Sequence, residues 1–395
     1  MSSAGPSRAE NLSILPGATL GVLGGGQLGR MFVQAAQAMG YFTVVLDPDP
    51  TSPAGAVSHR HLQAGYLDEA ALAELAERCD AVTTEFENVP GEALRRLAAG
   101  CRVVPHADAV AVSQDRIREK AHFTACGVRC APHAVIETEA DLAVVPGDLL
   151  PGILKTARLG YDGKGQRRVA SRAELAAAWT ALGRVPCVLE KLLPLAAECS
   201  VIVARGADGA AVHFPVQRNL HRDGILAVTE VFEQNMPQAI ADQAISATKK
   251  IASGLRYVGV MCAEFFVLAD GALVVNEIAP RPHNSGHYTI DACDLSQFDL
   301  QVRTLAGLPL AAPRQHSAAL MLNLLGELWF DAAGVAKVPP WDALLALPGT
   351  HLRLYGKRQA QPGRKMGHLT ITAEHADAAR ATALRAAKLL GLDPF

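Results

Sequence analysis

The stretch MCAEFFVLADGALVVNEIAP, Met261 to Pro280, carries two apolar runs on either side of Asp270-Gly271. Apolar runs flanking an Asp-Gly pair predict a β-hairpin, because Gly accepts the positive φ that a tight reversal demands. With Asp270-Gly271 as a two-residue turn, the ladder sets Glu264 directly opposite Glu277 on one face. Like charges opposed in this way destabilise a ladder, so the pair implies compensation by cations or by a shared proton. Hard carboxylate oxygens suit Mg²⁺, which takes one or two carboxylates together with nucleotide phosphates in preference to an all-protein cage. A longer turn would shift the register and separate the two acids.

Downstream lies APRPHNSGHY, Ala279 to Tyr288, a loop stiffened by two prolines and crowded with hydrogen-bonding side chains. Arg281 is suited to hold a small oxyanion with its planar fork. His283 and His287 are zinc-capable types, but no third ligand stands at an obvious spacing. Upstream, Lys155 ends an apolar strand and precedes Gly160-Tyr161-Asp162-Gly163-Lys164-Gly165-Gln166. Such a glycine-rich segment suits a lid whose backbone N–H groups cover a triphosphate, with Lys155 adding charge from a rigid strand. An ordinary glycine hairpin is the plain alternative. No GxxxxGK[ST] loop leading into a helix is present, so this is not a Walker A site.

The amino-terminal Gly24-Gly25-Gly26-Gln27-Leu28-Gly29 follows a strand, opens a helix, and has Asp47 at the end of the next strand. This nearly matches a dinucleotide fingerprint, and a nicotinamide oxidoreductase is one function class it suggests. Free N–H groups at a helix start attract any phosphate or carboxylate, so the motif marks an anion more reliably than a particular cofactor. Near the other end, Tyr355-Gly356-Lys357 and Pro362-Gly363-Arg364-Lys365-Met366-Gly367-His368 gather three cations on a turn-rich hairpin. That is either a solvated basic turn or a second phosphate site.

The 395 residues suit two or three domains around a cleft. From Ala18 to about Pro105, TLGVL, FTVVLD, AVTTEF and RVV alternate with helical stretches as in a parallel α/β unit. A helix over SQDRIREKAHFTACG, Ser113 to Gly127, opens a strand-rich region with hairpin signals at Gly206-Ala207-Asp208-Gly209 and Asp270-Gly271, which reads as antiparallel α+β. A β-rich lobe with an Ala-rich final helix closes the chain. The expected domains are a disordered tail at 1–16, then 17–112, 113–312 and 313–395. Lys plus Arg (37) nearly cancel Asp plus Glu (39), so neither nucleic acid nor an anionic membrane is an expected partner. No apolar run approaches a bilayer span and the start lacks a secretory apolar core, so a cytoplasmic protein is expected. The eight cysteines include no CxxC pair, as expected of reduced structural thiols.

Taken in order, KTARLGYDGKGQ, the EK of Glu190-Lys191 with Glu198 downstream, NEIAPRPHNSGHYT, LYGK and PGRKMGHL resemble the N5-carboxyaminoimidazole ribonucleotide synthase family, the ATPase subunit of phosphoribosylaminoimidazole carboxylase. GGGQLGRM and TTEFENVP resemble its amino-terminal signatures, and the likeness spans nearly the whole chain. It implies a three-lobed ATP-grasp architecture: a parallel pre-ATP-grasp domain, a two-part ATP-grasp domain and a small carboxy-terminal β-rich lobe. The implied reaction carboxylates 5-aminoimidazole ribonucleotide with ATP and bicarbonate through carboxyphosphate, in purine biosynthesis, with Mg²⁺ or, as an alternative, Mn²⁺. By resemblance Arg116, Lys155 and the Gly160–Gln166 lid hold phosphates. Glu190, Lys191, Leu192 and Leu193 form the adenine hinge, Glu198 takes the ribose, and His221 and Asn276 add nucleotide contacts. Glu264 and Glu277 match the family's metal ligands. Arg281, His283 and Asn284 fall on the bicarbonate site, and Gln27, Leu28, Glu85, Lys357, Arg364 and Lys365 on the ribonucleotide site. A homodimer and coupling to a downstream mutase are also implied. Ala279 departs from carboxylases that have an Asn there. A non-catalytic ATP sensor on the same fold is the third function class.

Overall fold

The structure is a computed structural model, and it describes residues 13–160 and 165–395. Residues 1–12 of the expected tail, and Tyr161, Asp162, Gly163 and Lys164 of the expected lid, lie outside the described residues. Ser13 to Pro16 correct the expected tail, because this part is docked. Ser13 Oγ donates to Gly307 O at 2.8 Å, Ile14 N donates to Ala306 O at 2.8 Å, and Tyr41 Oη donates to Ile14 O at 2.7 Å.

The first domain runs β1 (Thr19–Leu23), α1 (Gln27–Ala38), β2 (Phe42–Leu46), β3 (Arg60–Leu62), α2 (Glu69–Arg78), β4 (Ala81–Thr84), α3 (Gly91–Leu97), β5 (Arg102–Val103) and α4 (Ala107–Ser113). Its strands form a parallel sheet in the order β3-β2-β1-β4-β5. β1, β2 and β4 are almost wholly buried, which is why they read as continuous apolar runs rather than as alternation. β3, Arg-His-Leu, has no such signature and forms only because β2 offers it an edge.

The glycine turn at the head of α1 does meet an anion, and the anion is internal. Glu85 accepts from Gly26 N at 2.5 Å and Gly29 N at 2.6 Å, and Asp47 accepts from Gly25 N at 2.7 Å and from Tyr66 Oη at 2.7 Å. This corrects the dinucleotide reading. A pyrophosphate would have to displace Glu85, and Asp47 is already committed to the turn rather than to a ribose.

α5 (Arg116–Ala125), capped by Asp115, leads into a four-stranded antiparallel leaf. It comprises β6 (His133–Ile136), α6 (Glu139–Val144), β7 (Gly152–Thr156), β8 (Gln166–Val169), α7 (Arg172–Ala181) and β9 (Cys187–Lys191), with strand order β6-β9-β7-β8. The helix begins three residues after the expected Ser113, because the Asp115 carboxylate caps Ile117 N and Arg118 N.

The larger sheet is built from β10 (Leu195–Arg205), β11 (Ala211–His213), β12 (Gln217–Arg222), β13 (Ile225–Val231), then, past α8 (Gln238–Gly254), β14 (Gly259–Leu268) and β15 (Leu273–Ala279). α9 (Thr289–Ala292) and α10 (Gln297–Ala306) follow, then β16 (Ala318–Leu325), α11 (Trp341–Leu345), β17 (Thr350–Leu354), β18 (Lys365–Ala373) and α12 (Ala376–Leu390). The strand order β15-β14-β10-β12-β13-β16-β18-β17, with β11 on β10, makes one nine-stranded sheet. The last lobe therefore shares its sheet with the central domain through the β13–β16 ladder.

The decisive hairpin reaches the expected pairing by an unexpected route. Its turn is a residue longer than expected, since Leu268 N donates to Ala272 O at 2.9 Å and Gly271 takes φ +81. The register near the turn is displaced accordingly, with Val267 opposite Leu273. A bulge between Glu264 and Phe265 then restores it, so that Glu264 faces Glu277 and Ala263 faces Ile278.

A Cβ on Gly29 would lie 2.7 Å from Gly24 O, a backbone atom that cannot swing aside. Gly29→Ala is accordingly expected to destabilise the first domain by about 1–3 kcal/mol, read as a lowered urea midpoint with unchanged slope.

Candidate active site

A cleft of about 540 Å³ opens where the first domain, the four-stranded leaf and the large sheet meet. Of the residues singled out in the sequence, Gln27, Leu28, Glu85, Arg116, Lys155, Gly160, Gln166, Glu190, Lys191, Leu193, Glu198, His221, Glu264, Asn276, Glu277, Arg281, His283, Asn284 and Lys365 line it. Leu192 and Gly165 are not on its wall. Lys357 and Arg364 also stay off the wall, since Lys357 Nζ donates to Lys365 O at 2.7 Å and Arg364 Nη1 to Gln359 O at 2.9 Å. The basic hairpin thus presents Lys365 alone of its three cations to this cleft.

Glu264 and Glu277 project from neighbouring strands into the cleft, and each is met by its own partner side chain. Arg116 Nη1 donates to Glu277 Oε2 at 2.9 Å, and His283 Nε2 lies 2.8 Å from Glu264 Oε1. Burial alone would raise the pKa of Glu264, but His283 and His221 outweigh it and hold the carboxyl at about 2. A buried chain of polar side chains fixes the His283 ring. Asn219 Nδ2 donates to Ser200 Oγ at 2.9 Å, Ser200 and Ser285 hydroxyls meet at 2.8 Å, and Ser285 Oγ lies 2.9 Å from His283 Nδ1. His221 and Glu198 pair on neighbouring strands.

Glu190, expected only at the hinge, joins two lysines. Its buried carboxylate bridges Lys120 Nζ at 2.9 Å and Lys155 Nζ at 2.8 Å, and the two lysines outweigh burial to hold it at about 2. Lys120, wholly buried, also donates to Asn276 O at 3.0 Å, which ties α5, β9 and β15 together. The next residue toward the helix start, Glu119, accepts from Ile278 N at 2.7 Å, and burial, despite Lys120 and Arg116, raises its pKa to about 8.

Arg281 is gripped from the first domain. Its Nε donates to Glu87 Oε2 at 2.5 Å, and this guanidinium overcomes burial to hold Glu87 at about 2. Among the described residues Asn284, 8% exposed, has no hydrogen-bond partner on either amide atom, and Asn276 Oδ1 is likewise unpaired. An unpaired buried polar group costs roughly 1–3 kcal/mol, so two such amides facing one cleft mark where a ligand supplies the missing bonds.

Lys120, Glu119, Glu87 and Gln297 escaped the sequence reading. Glu87 lies within the quoted TTEFENVP, where only Glu85 was singled out. The two α5 residues looked like ordinary members of a polar helix, and Gln297 has no motif at all.

Among the described residues no group of three or more His, Cys, Asp or Glu converges as for a metal cage. Two carboxylates beside unpaired amide oxygen fit Mg²⁺, whose remaining ligands come from phosphate and water, and do not fit zinc.

Three domain families match this chain in succession: the ribonucleotide synthetase preATP-grasp domain over 17–114, the ATP-grasp domain over 121–298, and the phosphoribosylaminoimidazole carboxylase C-terminal domain over 319–382. The N5-carboxyaminoimidazole ribonucleotide synthase of Brucella melitensis is 45% identical across 91% of this chain and 98% of its own. The Staphylococcus aureus N5-carboxyaminoimidazole synthetase complexed with ADP superposes with a TM-score of 0.87 at 36% identity, covering 96% of this chain and 98% of that one. The Aspergillus clavatus N5-carboxyaminoimidazole synthase in complex with ADP and 5-aminoimidazole ribonucleotide gives 0.85 at 32% identity, covering 95% and 98%.

Glu87, Glu190 and Glu264 each have a folded pKa of about 2, below an unfolded value near 4.5. Their contribution to stability is therefore complete above about pH 4.5 and is lost as pH falls toward 2. Glu87→Gln should lower stability at pH 6 and flatten this acid limb, measured as urea unfolding free energy against pH.

Proposed function

Since the chain belongs to the N5-carboxyaminoimidazole ribonucleotide synthase family of ATP-grasp ligases, we infer that its cleft carboxylates 5-aminoimidazole ribonucleotide at the expense of ATP and bicarbonate. The observation that carries the site assignment is the facing pair Glu264 and Glu277, each held by a partner, Arg116 or His283, that a nucleotide complex would redirect. The enzyme is an ATP-dependent carbon–nitrogen ligase of purine biosynthesis, and the cytoplasm is its proposed location.

Bicarbonate is a poor electrophile. A bicarbonate oxygen attacks the γ-phosphorus, the bond to the β-phosphate oxygen breaks, and ADP leaves carboxyphosphate behind. The exocyclic amine of the ribonucleotide then attacks the carboxyl carbon, inorganic phosphate departs, and the amine loses a proton to give the N5-carbamate. Every step is positioning and charge neutralisation, and no protein nucleophile is needed.

Lys155, set on β7 and aimed by Glu190, holds the phosphates with Arg116, which exchanges Glu277 for nucleotide oxygen when ATP enters. Lys191 and Leu193 lie at the adenine end, and the Glu198–His221 pair takes the ribose. Glu264 and Glu277 would hold Mg²⁺, which would neutralise phosphate charge there. Arg281 and His283 hold bicarbonate, and Asn284 gains hydrogen bonds from it that the free protein cannot provide. The ribonucleotide is placed between Gln27, Leu28 and Glu85 of the first domain and Lys365 of the last lobe, with Lys357 and Arg364 close behind. A homodimer and delivery of the product to a mutase complete the proposal by family likeness.

ATP cleavage should require Mg²⁺, bicarbonate and the ribonucleotide together, measured as coupled ADP release. ADP release unchanged on omitting the last two would overturn the assignment, and multiple turnover rules out a mere sensor. Glu277→Ala should lower kcat by at least about a hundredfold, whereas Lys365→Ala should chiefly raise KM for the ribonucleotide.

A further inference from the structure

His287 lies in the same loop as Arg281 and His283 but has no part in the chemistry above. It lines the cleft at only 1% exposure. Its ring stacks on Phe298 with centroids 5.9 Å apart, lies 4.9 Å from the His368 ring, and meets the edge of Tyr355 at 6.2 Å. Phe298 and Tyr355 belong to the same buried cluster as Leu28, so His287 sits on the side of the cleft shared by the first domain and the last lobe.

The state of this ring is fixed by Gln297, which is wholly buried at the start of α10. The backbone of His283 determines which way the Gln297 amide points. His283 N donates to Gln297 Oε1 at 2.8 Å, and Gln297 Nε2 donates to His283 O at 2.8 Å. The second hydrogen on Nε2 is directed at His287 Nδ1, 3.1 Å away. An amide N–H aimed at Nδ1 requires a lone pair there, so the proton of a neutral ring resides on Nε2. Nε2 meets no protein partner among the described residues. Burial, reinforced by His368, His283, Lys365 and Arg281, pushes the His287 pKa well below its ordinary value and keeps the ring uncharged.

We propose that His287 is a ribonucleotide-binding residue, donating its Nε2–H to the lone-pair nitrogen of the aminoimidazole ring, and that Gln297 is the positioning residue that sets its tautomer. An uncharged donor can hold a ring nitrogen without protonating it, and so leaves the electron density of the attacking amine undiminished. Arg281 and Lys365 already supply positive charge for anions, which a neutral imidazole would duplicate poorly. The proposal rests on the function inferred above.

Nitrogen-15 spectra of histidine-labelled protein test it, with the His287 signals assigned by their loss in His287→Gln. The expected result is a neutral Nε2–H ring from pH 6 to 8, and an Nδ1–H ring or an imidazolium would overturn the proposal. In kinetics, His287→Phe should lower kcat/KM for the ribonucleotide by about tenfold or more, leaving ATP–Mg²⁺ affinity unchanged. His287→Gln, which returns an N–H near the position of Nε2, should recover most of that loss. Gln297→Glu should move the proton to Nδ1 and shift the spectrum accordingly. If the wild type couples ATP cleavage to the ribonucleotide but His287→Phe keeps full kcat/KM, this inference alone fails. A wild type that never requires the ribonucleotide removes the underlying function instead.

Discussion

Two carboxylates side by side on adjacent strands are the constraint around which the rest of the cleft is arranged. In isolation Glu264 and Glu277 would repel each other and weaken their ladder. The chain brings a partner to each, Arg116 from α5 and His283 from the loop after β15. Each of those partners is then secured by elements farther away. α5 is pinned by the Lys120–Glu190 pair and by the bond from Ile278 N to Glu119, and His283 by the Ser285–Ser200–Asn219 chain. Much of the buried polar structure of the central domain can be traced back to that electrostatic problem.

The first domain contributes through acids as well as glycines. Glu85 fills the helix start, and Glu87, two residues on, crosses to Arg281. One short segment thus seals an anion site in its own domain and orients the guanidinium of another. A glycine turn of this type binds negative charge in general, and here the protein provides that charge itself.

The fold was legible where periodicity and turn chemistry acted locally. The buried strands β1, β2 and β4 and the β14–β15 hairpin all carried their signals in a few residues. β3 carried none, being held by its neighbour. The facing of Glu264 and Glu277 was read from a turn one residue too short, and a bulge that no local signal announces cancelled the error. At the site, residues in glycine- and proline-punctuated motifs stood out, whereas Lys120, Glu119 and Gln297 did not. Their importance comes from partners ten or more positions distant, and only folding reveals such pairing. The placement of Lys365 on the wall and of Lys357 and Arg364 behind it was equally invisible, since all three read alike in sequence.

The continuous ladder from β13 to β16 has a mechanical corollary. A sheet resists shear along its hydrogen bonds, so the last lobe and the strands that carry Glu264 and Glu277 form a single stiff body. The four-stranded leaf from β6 to β9 joins that body through contacts that include Lys120–Glu190, Arg158–Asp115 and the bridge from Cys130 to Val275, so those joints fix where Lys155 stands relative to the two carboxylates.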